Sequence, residues 1–245
     1  GKISALFRNI SKCTVKKRLS GRKLQAAGVV QEEKMNGEIF DKIEKLKLVP
    51  VVKINNIEDA LPLAEALCRG GLPVAEITFR TEAAEEAIRK IRAAFPKMLV
   101  GAGTVINKEQ AERALAAGAQ FLVSPGTSEE ILAYAKERKV PVFPGVCTPS
   151  EIMTALAYDV KVVKFFPASC YGGLKTIEAL AAPFSQIRFM PTGGVNAANL
   201  QTYLQSEKII ACGGSWMVKE GLLKEKRFDE VERLTREAVA LAERK

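Results

Sequence analysis

The feature of this chain that most restricts its fold is a regular succession of short apolar runs. Eight runs rich in Val, Ile and Phe begin between 20 and 26 residues apart, and stretches of helical periodicity separate them. The runs are continuously apolar rather than alternating, which is typical of parallel strands that are covered on both faces. They occupy residues 48–54, 74–79, 99–105, 121–125, 141–146, 162–167, 187–192 and 209–215.

Eight strands that alternate with helices predict a parallel α/β fold, because parallel neighbours require crossover connections. The number of runs and their near-equal spacing favour a closed (β/α)8 TIM barrel over the alternative, an open doubly wound sheet. The sequence Thr148-Pro149-Ser150-Glu151 is a clear helix start, and a last helical segment at 228–242 would complete the outer ring. No break in composition follows residue 37, so we expect a single barrel domain over residues 35–245.

The net charge of +9 is concentrated at the N terminus. Residues 1–31 carry eight Lys or Arg and no acid, whereas the other 214 residues carry 29 basic and 28 acidic side chains. Residues 1–34 are therefore expected to be a basic extension of the barrel domain, namely a tag, a leader or a basic arm. Because the remainder is nearly neutral, we expect no nucleic-acid partner for the barrel itself.

The chain contains no histidine, which excludes Ser-His-Asp and Cys-His nucleophile systems, imidazole acid/base catalysis and histidine-ligated zinc. Five cysteines form no CxxC pair and are odd in number, which favours reduced thiols over a disulfide framework. The longest apolar run, 209–218, is too short to span a bilayer. We therefore expect a soluble, cytoplasmic protein with no membrane partner.

Two charged residues interrupt the apolar runs: Glu76 in the second and Lys164 in the sixth. A lysine held in an apolar barrel is favoured as the neutral amine, which attacks carbonyl carbons and forms a Schiff base. The alternatives are an outward, snorkelling lysine and a structural ion pair of Glu76 with Lys164 or Arg80. Buried charges are costly in such strands, so the presence of both in one barrel favours a functional pair.

Two glycine pairs follow the last two apolar runs. Gly193 and Gly194 come after Thr192, and Gly213 and Gly214 come before Ser215. Exposed backbone amides at such positions can approach an anion closely, and barrels often hold phosphate in the loops after strands seven and eight. Tight turning is the alternative explanation for each pair taken alone.

Arg80 and Thr104 lie at the ends of the second and third apolar runs. A guanidinium can grip a carboxylate with two hydrogen bonds, and a threonine hydroxyl can add a third. A solvent-exposed arginine in the first turn after a strand is the alternative for Arg80. These two residues are therefore candidates for binding an acidic substrate.

The motifs together resemble those of the 2-keto-3-deoxy-6-phosphogluconate (KDPG) aldolase family, many members of which also cleave 4-hydroxy-2-oxoglutarate (KHG). The resemblance extends from about residue 35 to the C terminus and leaves residues 1–34 without a counterpart. In chain order the matching motifs are EITFRT at 76–81, GAGTV at 101–105, VSPG at 123–126, FPGV at 143–146, KFFPA at 164–168, FMPTGG at 189–194 and GGSW at 213–216.

The resemblance implies a class I aldolase that forms a homotrimer of barrels and needs no metal or other cofactor. Carried over to this sequence, Lys164 is the Schiff-base lysine and Glu76 the acid/base. Arg80 and Thr104 bind the pyruvate carboxylate. The region of the substrate's carboxylate and phosphate is surrounded by Thr192, Gly193, Gly194, Gly214 and Ser215.

Two alternatives remain open at the level of sequence. The first is an aldolase that prefers KHG or the galactonate epimer of the sugar acid phosphate, because the motifs do not separate these substrates. The second is a trimeric scaffold without activity, whose basic arm binds RNA or another acidic partner. Intact Lys164 and Glu76 disfavour the scaffold, since a structural protein gains nothing from buried charges.

Overall fold

The computed structural model of the protein describes residues 37–244. The basic extension predicted at 1–34 lies outside these described residues. A compact unit begins at Ile39, and residues 37–46 form a helix, α1. Nine strands follow: β1 Leu48–Val52, β2 Val74–Thr78, β3 Leu99–Gly103, β4 Leu122–Val123, β5 Val142–Phe143, β6 Gly145–Val146, β7 Val162–Phe165, β8 Arg188–Pro191 and β9 Cys212–Gly214.

Helices alternate with the strands. Short 3-10 helices cover Ile57–Asp59, Ser169–Tyr171 and Trp216–Val218. The remaining α-helices are α2 Ala60–Arg69, α3 Ala83–Ala94, α4 Lys108–Ala116, α5 Glu129–Glu137, α6 Pro149–Ala157, α7 Gly173–Ala181, α8 Leu200–Leu204, α9 Glu220–Lys224 and α10 Phe228–Glu243. Every apolar run of the sequence contains a strand, so the predicted parallel α/β fold is confirmed.

All strand pairs are parallel and form two sheets. One has the order β5-β4-β3-β2-β1-β9 and the other the order β6-β7-β8. Parallel bridges at Phe189–Ile209 and Thr192–Gly213 join the end of β8 to the β9 segment. The first strand, β1, also pairs with the last strand, β9. The strand order therefore has no reversal of the kind that defines a doubly wound sheet.

The fifth apolar run differs from the prediction, because it contains two short strands rather than one. Pro144 separates β5 from β6 and has no N–H to donate to a neighbouring strand. Its carbonyl still accepts a hydrogen bond from the backbone N–H of Lys164 at 2.9 Å. β5 pairs with β4 and β6 pairs with β7, so the two sheets part at this proline.

The strand registers assign side chains to a common face, since residues paired across parallel strands point the same way. Glu76 pairs with Val51 on one side and with Gly101 on the other. Lys164 pairs with Gly145 and Met190. Each charged residue therefore has a glycine as one of its neighbours across the sheet.

Aromatic rings fill the interior on the side of α1. The ring of Phe40 in α1 packs edge-on against Phe143, with ring centroids 5.5 Å apart, and Phe143 packs edge-on against Phe121 at 5.7 Å. Gly101 makes room for this cluster, since a Cβ at residue 101 would lie 2.2 Å from the ring of Phe121. Within residues 37–244, no helix is long and apolar enough to cross a membrane.

Helix α6 begins with a reciprocal cap, as its sequence predicts. The backbone N–H of Glu151 donates to Oγ1 of Thr148, and Oε2 of Glu151 accepts from the backbone N–H groups of Cys147 and Thr148, each at 2.8 Å. Burial alone would raise the pKa of Glu151, but these hydrogen bonds outweigh it and hold the pKa below its usual value. The cap fixes the chain that leaves β6.

We expect Thr148→Ala to lower the free energy of unfolding by about 1 kcal/mol, because the N–H of Glu151 loses its acceptor. Urea denaturation followed by circular dichroism measures the change. The matched control is Ser150→Ala in the same turn, where the exposed serine does not cap the helix; a change within about 0.5 kcal/mol is expected. Equal losses for both variants would contradict the assignment of the cap.

Candidate active site

The two charged residues predicted from the sequence meet inside the protein. Lys164 on β7 is 4% exposed and Glu76 on β2 is 0% exposed. Nζ of Lys164 lies 3.5 Å from Oε1 of Glu76. The alternative of an outward, snorkelling Lys164 is therefore wrong, and two residues 88 positions apart in the chain form a buried pair.

This pair is bonded through one oxygen only. Oε2 of Glu76 is buried and has no hydrogen-bond partner among the residues that the structure describes. The ammonium of Lys164 also lies over the ring of Phe166, 4.9 Å from its centroid, where a cation–π contact is favourable. Buried polar atoms without partners are rare in proteins, so this free oxygen calls for an explanation.

Gly103 makes room for the carboxylate of this pair, since a Cβ on Gly103 would lie 2.1 Å from Oε1 of Glu76. Gly145, the strand neighbour of Lys164, instead makes room for the backbone of Pro125, where a Cβ would lie 2.1 Å from the carbonyl oxygen. Neither contact is sterically possible for a real side chain. Sequence reasoning assigned no role to Gly103, because the glycine lies in a strand and its partner is distant in the chain.

Arg80 is exposed at the end of the second strand segment, two residues after Thr78. Its Nε donates a long hydrogen bond of 3.4 Å to Oγ1 of Thr78, and this hydroxyl in turn donates to the carbonyl oxygen of Val52 at 3.0 Å. Thr78 is buried and directs the guanidinium. The contact of Thr78 with Arg80 is visible only in the structure.

Thr104 follows directly after Gly103, the residue that touches Glu76, and is half-buried. Its backbone has φ of 56°, in the left-handed region that a β-branched residue rarely adopts. Such strained positions cluster at functional sites. Thr104 is therefore the chain neighbour of the glycine beside Glu76 and has an unusual backbone conformation.

Thr192 and the two glycines after it form a tight turn at the end of β8. Oγ1 of Thr192 is buried and lacks a partner among the described residues. Gly193 and Gly194 have φ of 93° and 83°, and a Cβ on Gly194 would lie 1.8 Å from Oγ of Ser169. Sequence reasoning missed Ser169, although it follows the Lys164 motif directly; its N–H donates to the carbonyl oxygen of Gly193 at 3.0 Å.

The second glycine pair lies beside the first, through the bridge between Thr192 and Gly213. A Cβ on Gly213 would lie 2.3 Å from Oγ1 of Thr192, and a Cβ on Gly214 would lie 2.0 Å from the ring of Trp216. Ser215 is exposed at the next position. The two predicted glycine loops are therefore neighbours, with an unpartnered hydroxyl between them.

The predicted site residues do not line the cavity of about 300 Å³ that the structure contains. Hydrogen bonds from Asn55 and Lys53, with a smaller contribution from the charge of Arg80, hold the pKa of Glu220 in its wall below the usual value. Within residues 37–244, no three acidic or cysteine side chains are grouped as metal ligands. The cavity is lined by Lys53, Asn55, Asn56, Asp59, Glu220, Leu223 and Lys224.

Comparison with known proteins decides the family. Residues 39–234 match the family model described as KDPG and KHG aldolase. The chain belongs to this family. The resemblance seen in the sequence motifs is thereby confirmed, and with it the enzyme class, an aldolase and hence a lyase.

Individual relatives agree with the family match. The 2-dehydro-3-deoxy-phosphogluconate aldolase of Haemophilus influenzae is 46% identical over 202 residues, which are 82% of this chain and 95% of that protein. The crystal structure of the KDPG aldolase of Legionella pneumophila, with pyruvate captured as a covalent carbinolamine intermediate, is 40% identical with a TM-score of 0.79. The alignment covers 82% of this chain and 97% of that one.

A third relative was solved with a different small molecule. The KDPG aldolase of Zymomonas mobilis, in complex with 3-phosphoglycerate, is 39% identical with a TM-score of 0.77 and covers 82% of this chain and 95% of its own. The roles assigned to single residues of the present chain stay predictions.

We expect Lys164→Met to lower the free energy of unfolding at pH 7 by roughly 3–5 kcal/mol, because it leaves the carboxylate of Glu76 buried without an opposite charge. In the double variant Lys164→Met/Glu76→Gln the buried negative charge is gone, so part of the lost stability should return. Urea titration of both variants measures the difference. A double variant no more stable than the single one would contradict the pairing.

Proposed function

We propose that this protein is a class I aldolase that cleaves KDPG into pyruvate and glyceraldehyde 3-phosphate. The observation that carries the proposal is the buried amine of Lys164, 3.5 Å from the buried carboxylate of Glu76. A carbinolamine is the adduct of an amine with a carbonyl carbon and precedes a Schiff base. Its capture with pyruvate in the Legionella pneumophila enzyme supports the same chemistry here.

The first half of the reaction makes the Schiff base. Lys164 transfers a proton to Glu76, which is within reach, and its neutral amine attacks the C2 ketone carbon of the substrate. Glu76 returns the proton to the carbinolamine oxygen, which leaves as water, so that an iminium ion and the Glu76 carboxylate remain. The positively charged nitrogen is the electron sink that the next step requires.

The second half breaks the carbon chain. Glu76 accepts the proton of the C4 hydroxyl, the C3–C4 bond breaks, and its electron pair forms an enamine with the former iminium. Glyceraldehyde 3-phosphate leaves, Glu76 returns a proton to C3, and water hydrolyses the iminium to pyruvate and free Lys164. With no histidine in the chain, one carboxylate carries out both proton transfers.

The neighbouring residues supply binding groups for the two charged ends of the substrate. Arg80 and Thr104 bind the carboxylate next to the ketone. The phosphate end lies against the two adjacent glycine loops, where exposed amides and hydroxyls can donate to its oxygens. The complex of the Zymomonas mobilis enzyme with a three-carbon phosphate ester supports this assignment. The residues of this phosphate region are Thr192, Gly193, Gly194, Gly214 and Ser215.

We also propose that the sheets close into a barrel, that the protein is a homotrimer and that it is cytoplasmic. The two sheets constitute one closed eight-stranded barrel over residues 35–245, in which β5 and β6 are halves of the fifth strand. Pairing of β1 with β9 and the bridge from Thr192 to Gly213 support closure. The family resemblance favours a homotrimer, and the odd, scattered cysteines favour a cytoplasmic location.

KHG is the second candidate substrate, because the matching family model names both aldolases. KHG has the same 2-keto acid end but carries a carboxylate in place of the phosphate-bearing chain. The same Lys164 and Glu76 chemistry would release pyruvate and glyoxylate from it. We expect the glycine loops to discriminate between the two substrates, because only KDPG carries a phosphate.

Reduction with borohydride in the presence of pyruvate should attach the three-carbon unit irreversibly to Lys164, because hydride reduces the iminium. Peptide mass mapping identifies the modified lysine. Lys164→Met should show neither labelling nor turnover. Lys161→Met, at an exposed lysine three residues earlier, should keep both. Turnover by the Lys164→Met variant would refute the mechanism.

Glu76→Gln should lower kcat for KDPG cleavage by about 10²- to 10⁴-fold, because the amide cannot accept the hydroxyl proton. Labelling by pyruvate and borohydride should persist, since the amine of Lys164 remains. Steady-state kinetics measure kcat, and Glu44→Gln on the exposed side of α1 serves as the control with unchanged kcat. Normal turnover by Glu76→Gln would remove the carboxylate from the mechanism.

The kcat/KM for KDPG should be at least about tenfold higher than the kcat/KM for 2-keto-3-deoxygluconate, its counterpart without phosphate. The reason is that charged hydrogen bonds to the phosphate contribute more than about 1.4 kcal/mol. Ser215→Ala should reduce this ratio. Ser185→Ala, at an exposed serine before the amino end of β8, should leave it unchanged. A ratio near one in the unmodified enzyme would instead favour KHG as the main substrate.

A further inference from the structure

The carboxylate of Glu76 is located by packing more than by hydrogen bonds. Its Oε1 contacts Nζ of Lys164 at the upper limit of hydrogen-bond distance, 3.5 Å, and its Oε2 has no partner among the described residues. A side chain with so few polar contacts needs another constraint to hold one position. The surface of the neighbouring strand β3 supplies it.

Gly103 is in direct contact with this carboxylate. A Cβ built on Gly103 would lie 2.1 Å from Oε1, 2.5 Å from Cγ and 2.6 Å from Cδ of Glu76. Real Cβ atoms do not approach other heavy atoms so closely. A side chain at residue 103 and the present position of the Glu76 carboxylate are therefore mutually exclusive.

The backbone gives no separate reason for glycine at this position. Gly103 ends the parallel strand β3 and pairs with Thr78, and its φ lies outside the left-handed region. Glycine in a strand interior weakens the strand, so its presence requires an explanation from close approach. The contact with Glu76 is that explanation.

We propose that Gly103 is a positioning residue for the aldolase reaction, which sets the distance between the carboxylate of Glu76 and the amine of Lys164. The proposal rests on the proposed function, because it acts through Glu76. An alanine at residue 103 would displace Oε1, the oxygen that faces Lys164. Displacement of a reacting group by 1 Å can reduce a rate by about 10²-fold.

The decisive variant is Gly103→Ala, with Glu76→Gln as the reference for loss of the carboxylate. We expect Gly103→Ala to lower kcat for KDPG cleavage by at least about tenfold. Borohydride with pyruvate should still label Lys164. The extent of this labelling should match that of the unmodified enzyme while kcat falls, as in Glu76→Gln. A loss of folded protein alone would lower the labelling and the activity together.

Gly70→Ala is the matched control. Gly70 is also buried, has a φ of −71° that alanine adopts freely, and is crowded, since a Cβ there would lie 2.6 Å from the side chain of Thr235. The clash lies between α2 and α10, outside the barrel interior. We expect this variant to lose stability and to keep both the kcat and the extent of labelling by pyruvate and borohydride per folded molecule.

A double variant tests the contact between residue 103 and Glu76 even where Gly103→Ala alone does not fold. Truncation in Glu76→Ala removes the atoms that the new Cβ would meet, so adding Gly103→Ala should lower the melting temperature less in the Glu76→Ala background than in the unmodified protein. An equal or larger loss in that background would overturn the proposal, as would unchanged kcat in Gly103→Ala. Full activity of Glu76→Gln would instead refute the proposed function.

Discussion

Two opposite charges share the apolar interior of this protein, and the arrangement of the surrounding residues follows from that. Lys164 and Glu76 are nearly inaccessible to solvent, and either charge alone would be costly to bury. Each therefore needs the other in the resting protein. Their contact uses one oxygen of the carboxylate, and the other oxygen has no partner among the described residues.

Space for this chemistry comes from residues without side chains. Gly103 gives room to the carboxylate of Glu76, and Gly213 gives room to the hydroxyl of Thr192. On the side of α1, by contrast, the rings of Phe40, Phe121 and Phe143 fill the interior.

Much of the site was predictable because its residues break a local pattern. Lys164 and Glu76 stand out as charges within apolar runs, and the glycine pairs stand out because they follow two consecutive runs. The contact of Arg80 with Thr78, the approach of Ser169 to Gly194 and the approach of Gly103 to Glu76 were not predictable in this way. They depend on atomic distances between segments, and a residue pattern along one chain does not encode distance.

The sequence by itself determined the succession of strands and helices, the cap of α6 and the family, because periodicity, capping and motifs are properties of neighbouring residues. Only the tertiary structure decided that the fifth run is divided at Pro144, that Lys164 points inward, and that its amine lies 3.5 Å from one oxygen of Glu76. The physical reason is that strand register and side-chain packing arise between segments tens of residues apart, where a shift of one ångström separates a contact from a clash.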